Sequence, residues 1–117
     1  MNQSTLTTEV RKPQSNVGII DIHGDVTGFA ENTLMDAFAQ ASNGSTRAIL
    51  LNFIGLDYMN SSGIGLLVTL LIRTQRQKQK LMACGLSEHY EEIFKLTRLN
   101  EAIGIYADET DALAAIK

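Results

Sequence analysis

Seven residues near the middle of the chain, RAILLNF at positions 47–53, restrict the fold more than any other segment. Their near-continuous Ala, Ile and Leu content predicts a strand buried on both sides, the condition of a strand in a parallel sheet covered by helices. The flanking segments fit that role. Residues 30–41 place Ala30, Leu34, Ala37, Phe38 and Ala41 at three- and four-residue spacings, which gives a helix one apolar face. Asn43 and Gly44 end it, with Gly44 expected in the left-handed conformation. A longer helix is expected over residues 62–77. Further strands are predicted at 17–22 (VGIIDI), 81–84 and 103–106, with a weak edge strand at 5–10 that Pro13 closes. HGDVTG at 23–28 and GLDYMNS at 55–61 read as loops. Ser87 caps a helix whose Glu88, Glu91 and Glu92 lie near its positive end. Asp108 caps a terminal helix, with Asp111 three residues on and Leu113 and Ile116 turned inward. Strands alternating with helices in this way predict an α/β fold, a mixed and mostly parallel open sheet flanked by helices.

The 117 residues suit one domain spanning 1–117, with no internal repeat or low-complexity linker. A chain of this size buries enough surface to need neither metal nor disulfide for stability, and lone Cys84 in KLMACGL is expected as a buried thiol. The first ten residues hold no apolar core segment of a signal peptide. The longest apolar run, 63–72, is about half the length a membrane span requires. A soluble cytoplasmic protein without a membrane partner follows as the expectation. The basic stretch 73–80 carries no interleaved aromatics in a chain of net charge −3, which argues against direct nucleic-acid binding. Arg73, Arg76, Lys78 and Lys80 read instead as a solvated helix end facing the negative pole of the macrodipole.

At 100° per residue, Ile64, Leu67, Val68, Leu71 and Ile72 form the expected core face of the 62–77 helix. Ser62, Leu66, Thr69, Leu70 and Arg73 then fall on the outer face. Two readings of Leu66 and Leu70 stand side by side: neighbouring elements cover them, or a partner protein binds them inside a rim of Ser, Thr and Arg. Ser61 is expected to point inward or to cap the helix, and Ser62 to point outward, with Gly63 leaving room for another protein to approach its hydroxyl. Capping alone would need only one hydroxyl. Phosphate on Ser62 would be tolerated by the helix-end amides, while a partner covering the outer face would have to bury its charge.

Other chemistry is poorly served. No Walker-type Gly-Lys-Ser/Thr occurs, and GIG at 63–65 lacks the third glycine of a dinucleotide loop. No cofactor is implied. His23 and His89 lie 66 positions apart in no metal-ligand pattern. Ser62, His23 and Asp25 would make a hydrolytic triad only on paper, since Ser62 sits in no nucleophile elbow. Asp25 and Asp57 follow strands near the serine turn. They read as solvated loop carboxylates or, alternatively, as groups that help position Mg²⁺ when a kinase docks.

The segments VGIIDIHGDV at 17–26, RAILLNF, and above all GLDYMNSSGIGLL at 55–67 resemble the anti-sigma factor antagonists, single-domain bacterial members of the sulfate transporter and anti-sigma antagonist (STAS) family. The resemblance covers essentially the whole chain. It implies a mixed sheet flanked by helices and no enzymatic activity of its own. It also implies an anti-sigma factor partner that is a serine kinase, and a metal-dependent serine phosphatase. By motif match Ser62, the serine before the glycine, would carry the phosphate, with Ser61 beside it. Asp57, Tyr58, Met59 and Asn60 would lie in the docking loop and Leu66 on the contacted helix. Two positions depart from the family pattern: Asn60 and Thr27 stand where Asp is usual. The competing readings are a constitutive scaffold subunit of a signalling assembly and a small serine hydrolase.

Overall fold

The computed structural model describes residues 6–116, so Thr5 of the expected edge strand lies outside the described residues. Five strands run β1 (Thr7–Gln14), β2 (Val17–Val26), β3 (Ala48–Met59), β4 (Lys80–Cys84) and β5 (Gly104–Tyr106), side by side in chain order. β1 pairs antiparallel with β2, and every other neighbouring pair is parallel. Helices α1 (Glu31–Ala41), α2 (Ser61–Arg76) and α3 (Glu88–Leu96) connect the parallel strands, and α4 (Glu109–Ala114) follows β5.

The run at 47–53 behaves as its composition requires. Ile49, Leu51 and Phe53 face one core with residues of α1, α2 and α3, while Ala48 and Leu50 face a second core closed by Ala112 of α4. Side chains alternate across a strand, so a continuous apolar run feeds both layers at once. Phe53 and Phe94 meet edge to face at 6.4 Å and fix α3 on the sheet.

β1 continues through Pro13, which has no N–H to donate and lies in the register shift between Arg11 and Gln14, where the edge strand asks for no ladder bond from it. From β1, Arg11 donates Nε and Nη2 to the two oxygens of Asp21 at 2.7 Å each. It also donates to both oxygens of Glu109 at 3.1 and 2.7 Å, tying the edge strand to the start of α4. The guanidinium, helped by the Asn52 amide at 2.9 Å, holds the Asp21 carboxyl below its ordinary range against the effect of burial. Cys84 is buried as expected, and loss of water pushes its thiol pKa up to about 11.

Two helix ends differ from expectation. α1 stops at Ser42, which is extended, and Gly44 is not left-handed; Asn43 Oδ1 organises the turn by accepting from Ser45 N at 2.8 Å. α2 ends at Arg76, and Lys78 takes the left-handed conformation (φ 60°) that glycine usually fills. Gln79 N donates to Thr74 O at 2.9 Å and Lys78 N to Gln75 O at 3.1 Å, closing the helix. A side chain at that position costs about 1 kcal/mol. Lys80 lies on β4 and not on the helix end where the basic stretch placed it.

Candidate functional site

The site forms where β2 and β3 outrun the rest of the sheet. β3 pairs with β4 only as far as Asn52–Cys84, yet its pairing with β2 continues to Asp25–Tyr58 and Val26–Met59. HGDV and most of GLDYMNS are therefore strand, where the sequence suggested loops. The reason lies in two register shifts, each adding one residue to β3, between Asn52 and Gly55 and between Leu56 and Tyr58. Bulges erase the two-residue alternation and increase twist, and they bring glycine into the strand. Gly55 is required because a β-carbon there would overlap the His23 ring and lie 2.9 Å from Ile22 O.

Asn60 turns the chain from β3 into α2. Its backbone N–H donates to Val26 O at 3.3 Å, and its Oδ1 accepts from Gly63 N at 2.9 Å, capping the helix. Neither serine caps it. Ser61 and Ser62 occupy the first turn of α2, both exposed, and neither hydroxyl bonds another group among the described residues. The expectation of an inward or capping Ser61 is thus corrected, because Asn60 already satisfies that amide. Ser62 packs beside the 3₁₀ turn Gly28–Ala30, its Oγ 3.7 Å from where a Gly28 β-carbon would sit. Thr27 caps that turn by accepting from Phe29 N at 3.3 Å. No acidic residue stands in the first turn of α2.

Gly63 does not open a path to Ser62. It is buried against β2, where a β-carbon would overlap the Val26 carbonyl oxygen and lie 2.8 Å from its carbon. The absent side chain serves the seating of the helix. Gly65, by contrast, faces open space.

The two faces of α2 also differ from the wheel's reading. Leu66 (8% exposed) and Leu70 (0%) are buried with Leu67, and Val68 (39%) and Ile72 (44%) are the exposed apolar residues. A helix apolar nearly all round has no polar side to orient it. Buried Gly63 and Thr74 mark the true inner face, the latter donating its hydroxyl to Leu71 O at 2.8 Å. Leu66 and Leu70 are therefore covered by neighbouring elements and removed from any contact surface. The outer stripe is Ser61, Gly65, Val68 and Ile72, flanked by Ser62, half-buried Thr69 and exposed Arg73.

Asp57 and Tyr58 are exposed at the tip of β3, and Asp25 is half-buried beside Tyr58 on β2. Met59 is buried, and its N–H donates to Tyr90 Oη of α3 at 2.8 Å, so it anchors the loop from within. Sequence reasoning missed Tyr90, which had no signal beyond its place on an amphipathic helix. It also missed Phe29, exposed at 67% on the 3₁₀ turn whose Gly28 faces Ser62, although an aromatic between Gly28 and Ala30 is itself an anomaly in a loop. No hydrogen bond joins His23, Asp25 and Ser62, and the ring of His23 lies over Gly55 instead. Among the described residues no group of three His, Cys, Asp or Glu side chains is placed to hold a metal, and no helix is long and apolar enough to cross a membrane.

Solved structures share this architecture. An anti-sigma factor antagonist from Mycobacterium paratuberculosis is 18% identical, covers 96% of this chain with 94% of its own, and superposes with a TM-score of 0.80. The Bacillus cell fate determinant SpoIIAA in its phosphorylated form is 18% identical over 95% of this chain and 100% of that one, with a TM-score of 0.68. An anti-sigma-factor antagonist (STAS) domain protein from Planctomyces limnophilus is 21% identical over 92% and 95%, with a TM-score of 0.73. At these identities the likeness establishes the α/β fold. The family model for the STAS domain matches residues 9–112, nearly the whole sequence, and the chain belongs to the STAS domain family.

Proposed function

We propose that the chain is a non-enzymatic binding switch, an anti-sigma factor antagonist that holds an anti-sigma factor/serine kinase while Ser62 is unmodified and releases it once Ser62 is phosphorylated. The observation that carries this reading is a juxtaposition. An exposed serine with no hydroxyl bonding partner among the described residues stands on the first turn of α2, at the start of an outward apolar stripe and against Gly28, the neighbour of exposed Phe29. A partner seated on Val68, Ile72 and Phe29 would cover Ser62 as well. Asp25, Asp57, Tyr58, Asn60, Ser61, Thr69 and Arg73 supply the polar rim that such interfaces have around an apolar centre.

The partner kinase would transfer the γ-phosphoryl of its ATP to Ser62 Oγ, the hydroxyl proton passing to a base on the kinase and ADP leaving. The added group carries about −1.5 to −2 charges. The amides of the α2 N-terminus accept such a charge, so the domain stays folded. The partner's apolar contact surface does not, and desolvation with repulsion ejects it. A metal-dependent phosphatase resets the switch by hydrolysis. That SpoIIAA, a protein of the same fold, has been solved in unphosphorylated and phosphorylated forms supports the reading. With it come a single STAS domain over residues 1–117, a cytoplasmic site of action and no direct contact with nucleic acid.

The test is phosphate occupancy at Ser62 in protein taken from its native cells under two growth conditions, located by fragment-ion mass analysis, with co-purified partners identified from the same samples. Occupancy that falls as a kinase partner associates is the expected result. Absence of phosphate under both conditions, with the same partners bound throughout, would replace the switch by a constitutive scaffold.

A further inference from the structure

The end of the sheet remote from Ser62 carries a second, differently charged feature. Arg47, Ala48, Lys78, Lys80 and Ile116 line a cavity of about 320 Å³ at the start of β3 and β4. It lies one length of α2 away from Ser62, roughly 24 Å for a helix of this size. None of the three cationic side chains has an ion-pair or hydrogen-bonding partner among the described residues.

Their backbone positions are fixed. Lys80 N–H donates to Arg47 O at 2.8 Å, Lys80 pairs in register with Ala48, and Lys78 is held left-handed by the two bonds that close α2. Arg73 and Arg76 are accounted for by the negative end of that helix, in whose last turn they lie. Arg47 and Lys80 lie off the helix, on the strand side of the cavity. Lys78 carries its charge at a left-handed position where glycine would be less strained. In a chain of net charge −3 this is a local concentration of positive charge, unpaired among the described residues, beside apolar Ala48 and Ile116.

We infer that this cavity binds a small phosphorylated anion, its phosphoryl oxygens held by Arg47, Lys78 and Lys80 and its organic remainder resting on Ala48 and Ile116. A guanidinium offers paired donors to phosphoryl oxygens and the two ammonium groups complete the charge. The volume is near the lower end of ligand cavities, which run from about 300 to 1,000 Å³, so the ligand has the size of a diphosphate or a sugar phosphate.

The test is calorimetric titration of the full chain with inorganic pyrophosphate at low and high salt. Saturable one-site binding that weakens with salt is expected. Lys78→Gly and Arg47→Gln should each weaken it about tenfold. Lys95→Gln, which removes an exposed lysine of α3, should leave the affinity within about twofold. Lys78→Gly also relieves the left-handed lysine, so its loss of binding cannot be ascribed to a damaged fold. No saturable binding, or an equal loss in Lys95→Gln, overturns the inference. So does Lys78-dependent capture on phosphatidylcholine–phosphatidylglycerol vesicles without pyrophosphate binding, which would assign the cations to a membrane surface.

Discussion

Replacing each of two glycines on the same helix by alanine should move stability in opposite directions. Gly63 is seated on the end of β2, where a new methyl would overlap the Val26 carbonyl oxygen and stand 2.8 Å from its carbon and 3.0 Å from Met59 Cγ. Two of these atoms are backbone in a paired strand and cannot turn aside as a flexible side chain would. Overpacking of this kind costs up to about 3 kcal/mol, and the better helix propensity of alanine returns about 1 kcal/mol. The net loss is about 2 kcal/mol, or roughly 8 °C in Tm for a domain of this size. At Gly65 a β-carbon meets nothing within 4 Å, so only the propensity gain remains, about 1 kcal/mol of added stability. Urea unfolding followed by circular dichroism measures both. The Asn60 amide, which donates to the same Val26 carbonyl at 3.3 Å, should also exchange faster with solvent in Gly63→Ala. A Gly63→Ala protein as stable as the wild type or more so, with the Asn60 amide unchanged, would refute the seating of α2 on β2.

The orientation of α2 can be checked at neighbouring positions. Leu70→Ala should cost about 3 kcal/mol because its side chain is fully buried, whereas Ile72→Ala should stay within about 0.5 kcal/mol; a lower urea midpoint for Ile72→Ala than for Leu70→Ala would restore the face assigned from the wheel. The Arg11–Asp21 pair predicts a pH dependence. The Asp21 carboxyl is held below its unfolded value of about 3.9, so its contribution is complete above that pH and is lost as pH falls through the folded value. Asp21→Asn should therefore destabilise by about 2 kcal/mol at neutral pH and by progressively less below about pH 4; a gap that stays constant through the acid limb of the urea midpoints would show that the pair does not set it.

What the sequence disclosed follows from where periodicity is a sufficient guide. The two-sided burial of residues 49–51, the helix expected at 30–41 and found from Glu31, and the caps at Ser87 and Asp108 all rest on local pattern. The helix that begins at the serine pair was legible for the same reason, but its cap was not, because Asn60 takes the place expected of Ser61. The outer face of α2 was not. Its apolar residues surround the helix, and the residues that orient it are a glycine and a threonine whose burial depends on Val26 and on the close of the helix. The extended arm of β2 and β3 was hidden by its bulges, because an inserted residue reverses the alternation on which strand recognition depends.

The two departures from the family pattern acquire a physical meaning from the same geometry. Asn60 and Thr27 are both capping residues, and each uses only a side-chain oxygen that accepts from a backbone amide, at 2.9 and 3.3 Å. An amide or hydroxyl oxygen performs that task as a carboxylate would, so the turn survives the exchange. What changes is charge. With no acidic residue in its first turn, α2 presents its positive end beside Ser62. Under the proposed reading, phosphate on Ser62 meets less repulsion from its own domain than it would beside two carboxylates. Its cost therefore falls more completely on the partner, and the switch acts at the interface while the fold beneath it is unchanged.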